Sequence, residues 1–146
     1  MATRNGVAGI GTMRIELGNR LEEIANVMAA LEEFSDSAGL DIGVAQAAEL
    51  VLDELLTNTM SYGFSDAVQH KITVEMLVKA NALHIVISDD GICFNPFEQK
   101  DPDLASSIDE RDLGGLGIHL VKKIMDEYSY QRLEGRNVVT LIKHIG

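Results

Sequence analysis

The sequence predicts an α/β two-layer sandwich in which a mixed, mostly antiparallel sheet packs against three helices. Several short segments alternate apolar with polar residues, as half-buried strands do. Three longer segments repeat their apolar residues every three or four positions, which is typical of amphipathic helices. A chain of 146 residues is long enough for one domain with a substantial core. We therefore expect a single domain over residues 12–146, preceded by a flexible N-terminus over residues 1–11.

Capping residues set the expected ends of the first two helices. Asn19 and Asp41 are residue types that favour the N-cap, and Gly39 is typical of the position that ends a helix. Asn81 lies in the turn of a predicted hairpin. The predicted elements in chain order are a strand over 12–17, helices over about 20–37 and 41–63, hairpin strands over 70–79 and 83–88, a helix over about 116–128, and strands over about 129–133 and 137–145.

The composition narrows the function classes. The net charge of −11 disfavours binding to a nucleic-acid backbone and allows a basic protein partner. Cys93 is the sole cysteine, so no internal disulfide is expected, and the four histidines show no metal-ligand spacing. No apolar run is long enough to cross a bilayer, and the N-terminal segment lacks the apolar region of a signal peptide. We expect a cytoplasmic protein that binds neither membrane nor nucleic acid.

The segment from Glu49 to Phe64 combines a helical pattern with misplaced polar residues. At 100° per residue, Asn58 falls inside the apolar stripe, Glu54 lies on its edge one turn earlier, and Asp53 points to the opposite face. An inward amide and carboxylate cost desolvation energy unless they have partners. Two interpretations remain open: a ligand pocket, in which Asn58 could bind Mg²⁺ and Glu54 could act as a general base, or a buried asparagine bonded to backbone.

Two further motifs are ambiguous when taken singly. Asp89-Asp90-Gly91 follows an apolar strand, where a carboxylate can accept a hydrogen bond from an exocyclic amine, although the same tripeptide can be an ordinary turn. Gly114-Gly115-Leu116-Gly117 opens a helix, where backbone N–H groups can face an anion. This glycine cluster is neither a Walker P-loop nor a dinucleotide fingerprint. Between the two motifs lies a long patternless segment, which is typical of a functional lid.

The order of these motifs resembles the ATPase fold shared by gyrase B, histidine kinases, the heat-shock ninety chaperones and the mismatch-repair protein MutL. Within that fold the chain is most similar to the small anti-sigma-factor serine kinases of the RsbW type. The matching segments are 53–58 (DELLTN), 89–96 (DDGICFNP) and 114–118 (GGLGI).

The resemblance implies a site for ATP and Mg²⁺. Glu54 would be the general base toward an acceptor hydroxyl or water. Asn58 would bind the Mg²⁺ that bridges the ATP phosphates. Asp89 would accept a hydrogen bond from the adenine amine, and Gly91 would let the base lie against the backbone.

The resemblance also implies an ATP lid over residues 94–113, beginning at Phe94. Gly115, Leu116 and Gly117 would contact the triphosphate through their backbone. Arg111 would reach a phosphate or remain a solvated lid charge.

Two positions depart from the family pattern. Cys93 stands where many members have a second glycine, and we expect it to act as a small space-filling residue. Many members have threonine at the start of the last strand, where this chain has Asn137, so a threonine contact to adenine is in doubt.

The leading hypothesis is an ATP-dependent kinase that sequesters a sigma factor and phosphorylates a serine on its STAS-type anti-sigma-factor antagonist. The alternative is a nucleotide-sensing regulatory module without kinase activity, which would act on a sigma factor or a regulatory phosphatase. A third reading, the ATP-binding piece of a sensor histidine kinase, is disfavoured because the chain has no room for a phospho-accepting helical hairpin. The resemblance allows a homodimer, but no residue marks its interface.

Overall fold

A computed structural model describes residues 3–4, 11–63, 70–98 and 113–145, with backbone alone at 3–4 and 113–116. Its elements alternate between sheet and helix much as the periodicity predicts. In order they are β1 (Thr3–Arg4), β2 (Thr12–Gly18), a 3₁₀ turn (Leu21–Glu23), α1 (Ile24–Ala38), α2 (Ile42–Tyr62), β3 (Lys71–Lys79), β4 (Ala82–Asp89), a 3₁₀ turn (Pro96–Glu98), α3 (Leu113–Ile124), β5 (Glu127–Leu133) and β6 (Arg136–His144).

The six strands form one sheet in the order β1-β2-β3-β4-β6-β5. Every pairing among the described strands is antiparallel, so no parallel pair of the expected mixed sheet is found there. Asp89, the last residue of β4, lies opposite Ile72 on one side and Asn137 on the other. The predicted two-layer α/β fold with three helices is confirmed.

The core lies between one face of the sheet and the three helices. Alternate residues of the central strands point into it, as their period of two requires. The inward residues include Met13, Ile15 and Leu17 of β2, Ile72, Val74 and Met76 of β3, Leu83, Ile85 and Ile87 of β4, and Val139 and Leu141 of β6. The helices contribute Val27, Leu31 and Phe34 from α1, Val51, Leu52, Leu55 and Leu56 from α2, and Ile118 and Val121 from α3.

Most predicted helix and strand ends are confirmed. Gly39 ends α1 with φ of 68°, and Asp41 caps α2 through a hydrogen bond of 2.9 Å from Val44 N–H. Ala80 and Asn81 form the β3–β4 turn with positive φ angles of 53° and 58°.

Two boundary predictions are wrong. Asn19 does not cap a helix, because its side chain accepts a hydrogen bond of 3.2 Å from His70 N–H, and a 3₁₀ turn precedes α1. Helix α3 spans Leu113–Ile124 instead of 116–128, and the chain enters β5 at Glu127. The helix ends early because Asp126 N–H bonds to Ile142 O of the sheet and Lys143 Nζ binds the Ile124 carbonyl.

None of the described helices is long and apolar enough to span a bilayer. The expected boundary between a flexible N-terminus and a domain starting at residue 12 stays a prediction.

Candidate functional site

Helix α2 presents its polar residues as its helical phase predicts. Asn58 is buried with 3% of its surface exposed, while Glu54 one turn earlier is half-buried. Asp53 is exposed on the far side. Leu56 is also fully buried, so the apolar stripe is wider than predicted and encloses Asn58 more completely.

The Asn58 amide has unused hydrogen-bonding capacity. Its Nδ2 atom is buried and has no hydrogen-bond partner within the described ranges. A buried amide donor without a partner costs about 1–3 kcal/mol. The alternative of an asparagine bonded to backbone therefore finds no support among those residues, and the amide is compatible with a polar ligand.

Glu54 lies directly against the first turns of α3. A Cβ atom built on Gly117 would lie 1.9 Å from Glu54 Oε2 and 2.6 Å from its Cδ. Only glycine leaves room for the carboxylate at this point. Burial, followed by repulsion from Asp53, raises the pKa of Glu54 above its ordinary value. A carboxyl with a raised pKa is the better proton acceptor when it is ionised, as a general base requires.

Asp89 is held in place at the end of β4. It is buried, with 5% of its surface exposed, and its Oδ1 atom accepts a hydrogen bond of 2.8 Å from Gly91 N–H. Oδ1 accepts a second bond of 3.0 Å from Asn137 Nδ2. Both donors bind the same oxygen, and no described residue donates to Oδ2. The carboxylate thus keeps one oxygen available for an external donor.

Asn137 is the centre of the network that fixes the loop after β4. Its Nδ2 atom also donates to Ile92 O at 2.7 Å. The Arg132 guanidinium contributes a further bond of 2.8 Å to Gly91 O. The Asn137 Oδ1 atom accepts from the Phe94 N–H at 3.2 Å, the Arg132 guanidinium at 3.1 Å and the Tyr130 hydroxyl.

The C-terminal end of α2 contacts the same loop. Ile92 N–H donates to Gly63 O at 2.8 Å, and the rings of Tyr62 and Phe94 pack with centroids 6.3 Å apart. This contact joins the helix that carries Asn58 to the loop that follows Asp89. Since Gly117 meets the same helix at Glu54, the three predicted motifs converge on the second half of α2.

The other predicted site residues are only partly described. Arg111 and the lid from residue 99 to 112 lie outside the described residues, and Gly115 and Leu116 are described as helical backbone alone. The glycines thus lie inside the first turns of α3, not in a loop before it. Cys93 does not fill space in the interior as expected. It is exposed, with Sγ 3.6 Å from the Tyr130 hydroxyl.

Sequence reasoning noted Asn137 only as a departure from the family pattern, and it missed Tyr130 and Arg132 altogether. One signal was available for Asn137. It continues the inward alternation of Val139 and Leu141, which predicts a buried polar side chain at the start of β6. The contacts of Tyr130 and Arg132 depend on the β5–β6 pairing, which no local pattern specifies.

A bound magnesium ion is chemically compatible with these residues. Within the described ranges no group of three His, Cys, Asp or Glu side chains could hold a metal by itself. Mg²⁺ is commonly bound by one or two protein oxygens together with substrate phosphates. The Asn58 carbonyl oxygen is a ligand of this type, whereas its unsatisfied Nδ2 atom would donate to a phosphate oxygen beside the ion.

Comparisons with known proteins agree with this geometry. The histidine kinase-like ATPase domain family matches residues 17–143. The serine/threonine-protein kinase BtrW of Bordetella bronchiseptica is 33% identical over 95 residues, which cover 65% of this chain and 67% of BtrW. The serine-protein kinase RsbW of Listeria monocytogenes is 25% identical over 129 residues, covering 86% and 82% of the two chains. RsbW of Bacillus subtilis is 23% identical over 122 residues, covering 80% and 76%.

Proposed function

The chain belongs to the histidine kinase-like ATPase family, and from that premise we propose that it is an ATP-dependent protein-serine kinase. Its acceptor would be a serine on a STAS-type anti-sigma-factor antagonist, and its second partner a sigma factor that it holds inactive. The names of the relatives, serine/threonine-protein kinase and serine-protein kinase, support the kinase assignment. The observation that carries it is the half-buried Glu54 carboxylate, with a raised pKa, one turn from the unsatisfied Asn58 amide.

Different residues of the site would bind the adenine base and the phosphates of ATP. Asp89 would accept a hydrogen bond from the adenine amine through Oδ2, because Oδ1 is engaged by Gly91 and Asn137. An ionised carboxylate only accepts hydrogen bonds, so it would favour adenine over a base with a carbonyl at that position. Phe94 would border the base. The backbone of Gly115, Leu116 and Gly117 would contact the phosphates at the start of α3, and Arg111 would add a cation there.

The transfer step uses Glu54 as the base. The Glu54 carboxylate would accept the proton of the serine hydroxyl as its oxygen bonds to the γ-phosphorus. The bond between the γ-phosphorus and the bridging oxygen breaks, and ADP leaves with that oxygen. Asn58 would hold Mg²⁺, which supplies charge neutralisation on the phosphates. Positioning and electrostatics thus provide most of the catalysis.

The test is the variant Glu54→Ala, with Asp53→Ala as its matched control at the neighbouring exposed carboxylate. Antagonist-like proteins and sigma factors encoded beside the gene would be purified and incubated with radiolabelled ATP and Mg²⁺. We expect serine labelling by the wild type and by Asp53→Ala, and a loss of about 10²-fold or more for Glu54→Ala with ATP affinity retained. Loss of ATP binding in folded Glu54→Ala would contradict the assigned role. Tight ATP-dependent complexes without labelling by the wild type would instead identify a nucleotide-sensing module.

A further inference from the structure

A groove runs along the outer side of α1 and α2, and none of the candidate ATP-site residues lines it. It consists of two adjoining cavities of about 630 and 380 Å³ that share Met28, Gln46 and Glu49. The first reaches the α1–α2 turn at Leu40, and the second reaches Asp53. We call these two cavities together the α1–α2 groove.

The groove leaves apolar surface uncovered. Ile42, at the first turn of α2, is 75% exposed, and Leu50, two turns later, is 36% exposed. Met28 and Leu40 also line the groove and are only partly buried. Apolar side chains that line a concave surface, not scattered singly over a convex one, indicate a binding surface.

The charge of the groove has a single sign. Helices α1 and α2 carry no Lys, Arg or His anywhere in their sequences. Four carboxylates line the groove, and none of them forms an ion pair with a described residue; they are Glu32, Asp36, Glu49 and Asp53. On the sheet, by contrast, Arg14 pairs with both Glu16 and Glu75. The uncompensated carboxylates repel one another and would be relieved by cations from another molecule.

One polar group in the groove also lacks a partner. Ser35 lines the larger cavity and is buried, with 8% of its surface exposed. Its Oγ atom makes no hydrogen bond to the part of the chain that the structure describes.

We propose that the α1–α2 groove docks a basic amphipathic segment of a partner protein. Its apolar side chains would pack against Met28, Leu40 and Ile42, while its Lys or Arg residues would pair with the carboxylates along the rim. Nucleic acids and anionic membranes are excluded as occupants because their own negative charge would be repelled. The groove ends at Asp53, on the side of α2 that faces away from Asn58. The inference concerns the helix pair alone and does not depend on phosphotransfer.

The experiment selects peptides from a phage-displayed library of random 16-residue sequences on the full chain. The selected sequences are then made as synthetic peptides, and their affinity for the wild type and two double variants is measured by fluorescence anisotropy. Glu32→Gln with Glu49→Gln removes two groove charges. Glu127→Gln with Glu134→Gln removes two exposed charges on the β5 side and is the matched control. Ile42→Ser tests the apolar contribution at an exposed position that does not affect the core.

We expect the selected peptides to combine Lys or Arg with large apolar residues at helical spacing. Their affinity should fall about tenfold in the groove double variant and in Ile42→Ser, and stay within about twofold in the control. Backbone amide NMR shifts on binding should cluster in α1 and the first half of α2. Three outcomes would each overturn the proposal. They are selected peptides that lack this composition, an equal loss of peptide affinity in both double variants, and chemical-shift changes centred on the sheet. ATP affinity measured on the same variants separates this outcome from any failure of the kinase assignment.

Discussion

Replacing Asn137 with alanine tests whether one side chain holds the nucleotide loop in place. The change removes five hydrogen bonds at once. Gly91 N–H still satisfies Asp89, and Gly91 O still binds Arg132. Phe94 N–H and Ile92 O each lose their hydrogen bond to the Asn137 side chain.

The expected cost follows from these losses. A net value of about 0.5–1.5 kcal/mol per bond, offset by the partners that survive, gives a loss of roughly 2–4 kcal/mol in the free energy of unfolding. For a domain of this size that corresponds to a fall of about 5–15 °C in Tm. ATP affinity should fall about tenfold because the Asp89 carboxylate keeps only one of the two hydrogen bonds that orient it. Urea unfolding and nucleotide titration measure the two effects.

Two further variants make the test specific. Asn26→Ala makes the same chemical change on the exposed face of α1, and we expect its stability to change by less than about 0.5 kcal/mol. Asn137→Asp keeps the acceptor and places a second carboxylate against Asp89. This variant should be less stable than Asn137→Ala near pH 7, because two carboxylates lie in contact. Its stability should recover at lower pH, where one of the two carboxylates becomes protonated. A loss below about 1 kcal/mol for Asn137→Ala, with unchanged ATP affinity, would refute the reasoning.

Three more predictions concern the helices around the site. Gly117→Ala should displace the Glu54 carboxylate and reduce the phosphotransfer rate by about tenfold or more with little change in Tm, whereas Gly43→Ala, also a helical glycine, should leave the rate unchanged. Asp53→Asn should lower the pKa of Glu54. The base is lost as pH falls through that pKa, so the acid limb of kcat/KM against pH should move to lower pH; an unmoved limb would show that Glu54 does not control it. Asp41→Ala should cost about 1 kcal/mol in urea unfolding through loss of the α2 cap, and an unchanged midpoint would contradict the capping role.

Local periodicity predicted those features that depend on one element alone. The phase of α2 placed Asn58 inside, Glu54 at the edge and Asp53 outside, because side-chain direction along a helix is set by a rotation of 100° per residue. The alternation in the β3–β4 hairpin likewise identified the inward residues. These predictions needed no knowledge of what packs opposite.

Contacts between distant segments were beyond that reasoning. Asp89 meets Asn137 because β4 and β6 pair in one register, across 48 residues of sequence. The glycines at the start of α3 were interpreted as an anion-binding helix start, whereas Gly117 also leaves the space that the Glu54 carboxylate occupies. A glycine pattern shows that close approach is allowed, but not which atom approaches.

The two buried asparagines show how structure separates a framework residue from a ligand-facing one. Asn58 and Asn137 are equally buried, each with 3% of its surface exposed, and both would incur a similar desolvation cost. Asn137 recovers that cost through bonds to its own chain, so its burial needs no ligand. Asn58 keeps an unsatisfied Nδ2 within the described ranges. A ligand that accepts a hydrogen bond from Nδ2 would offset this desolvation cost, so Asn58 is the better candidate for direct contact with the magnesium–nucleotide complex. Asn137, whose bonds are all to its own chain, is the better candidate for holding the loop that receives the base.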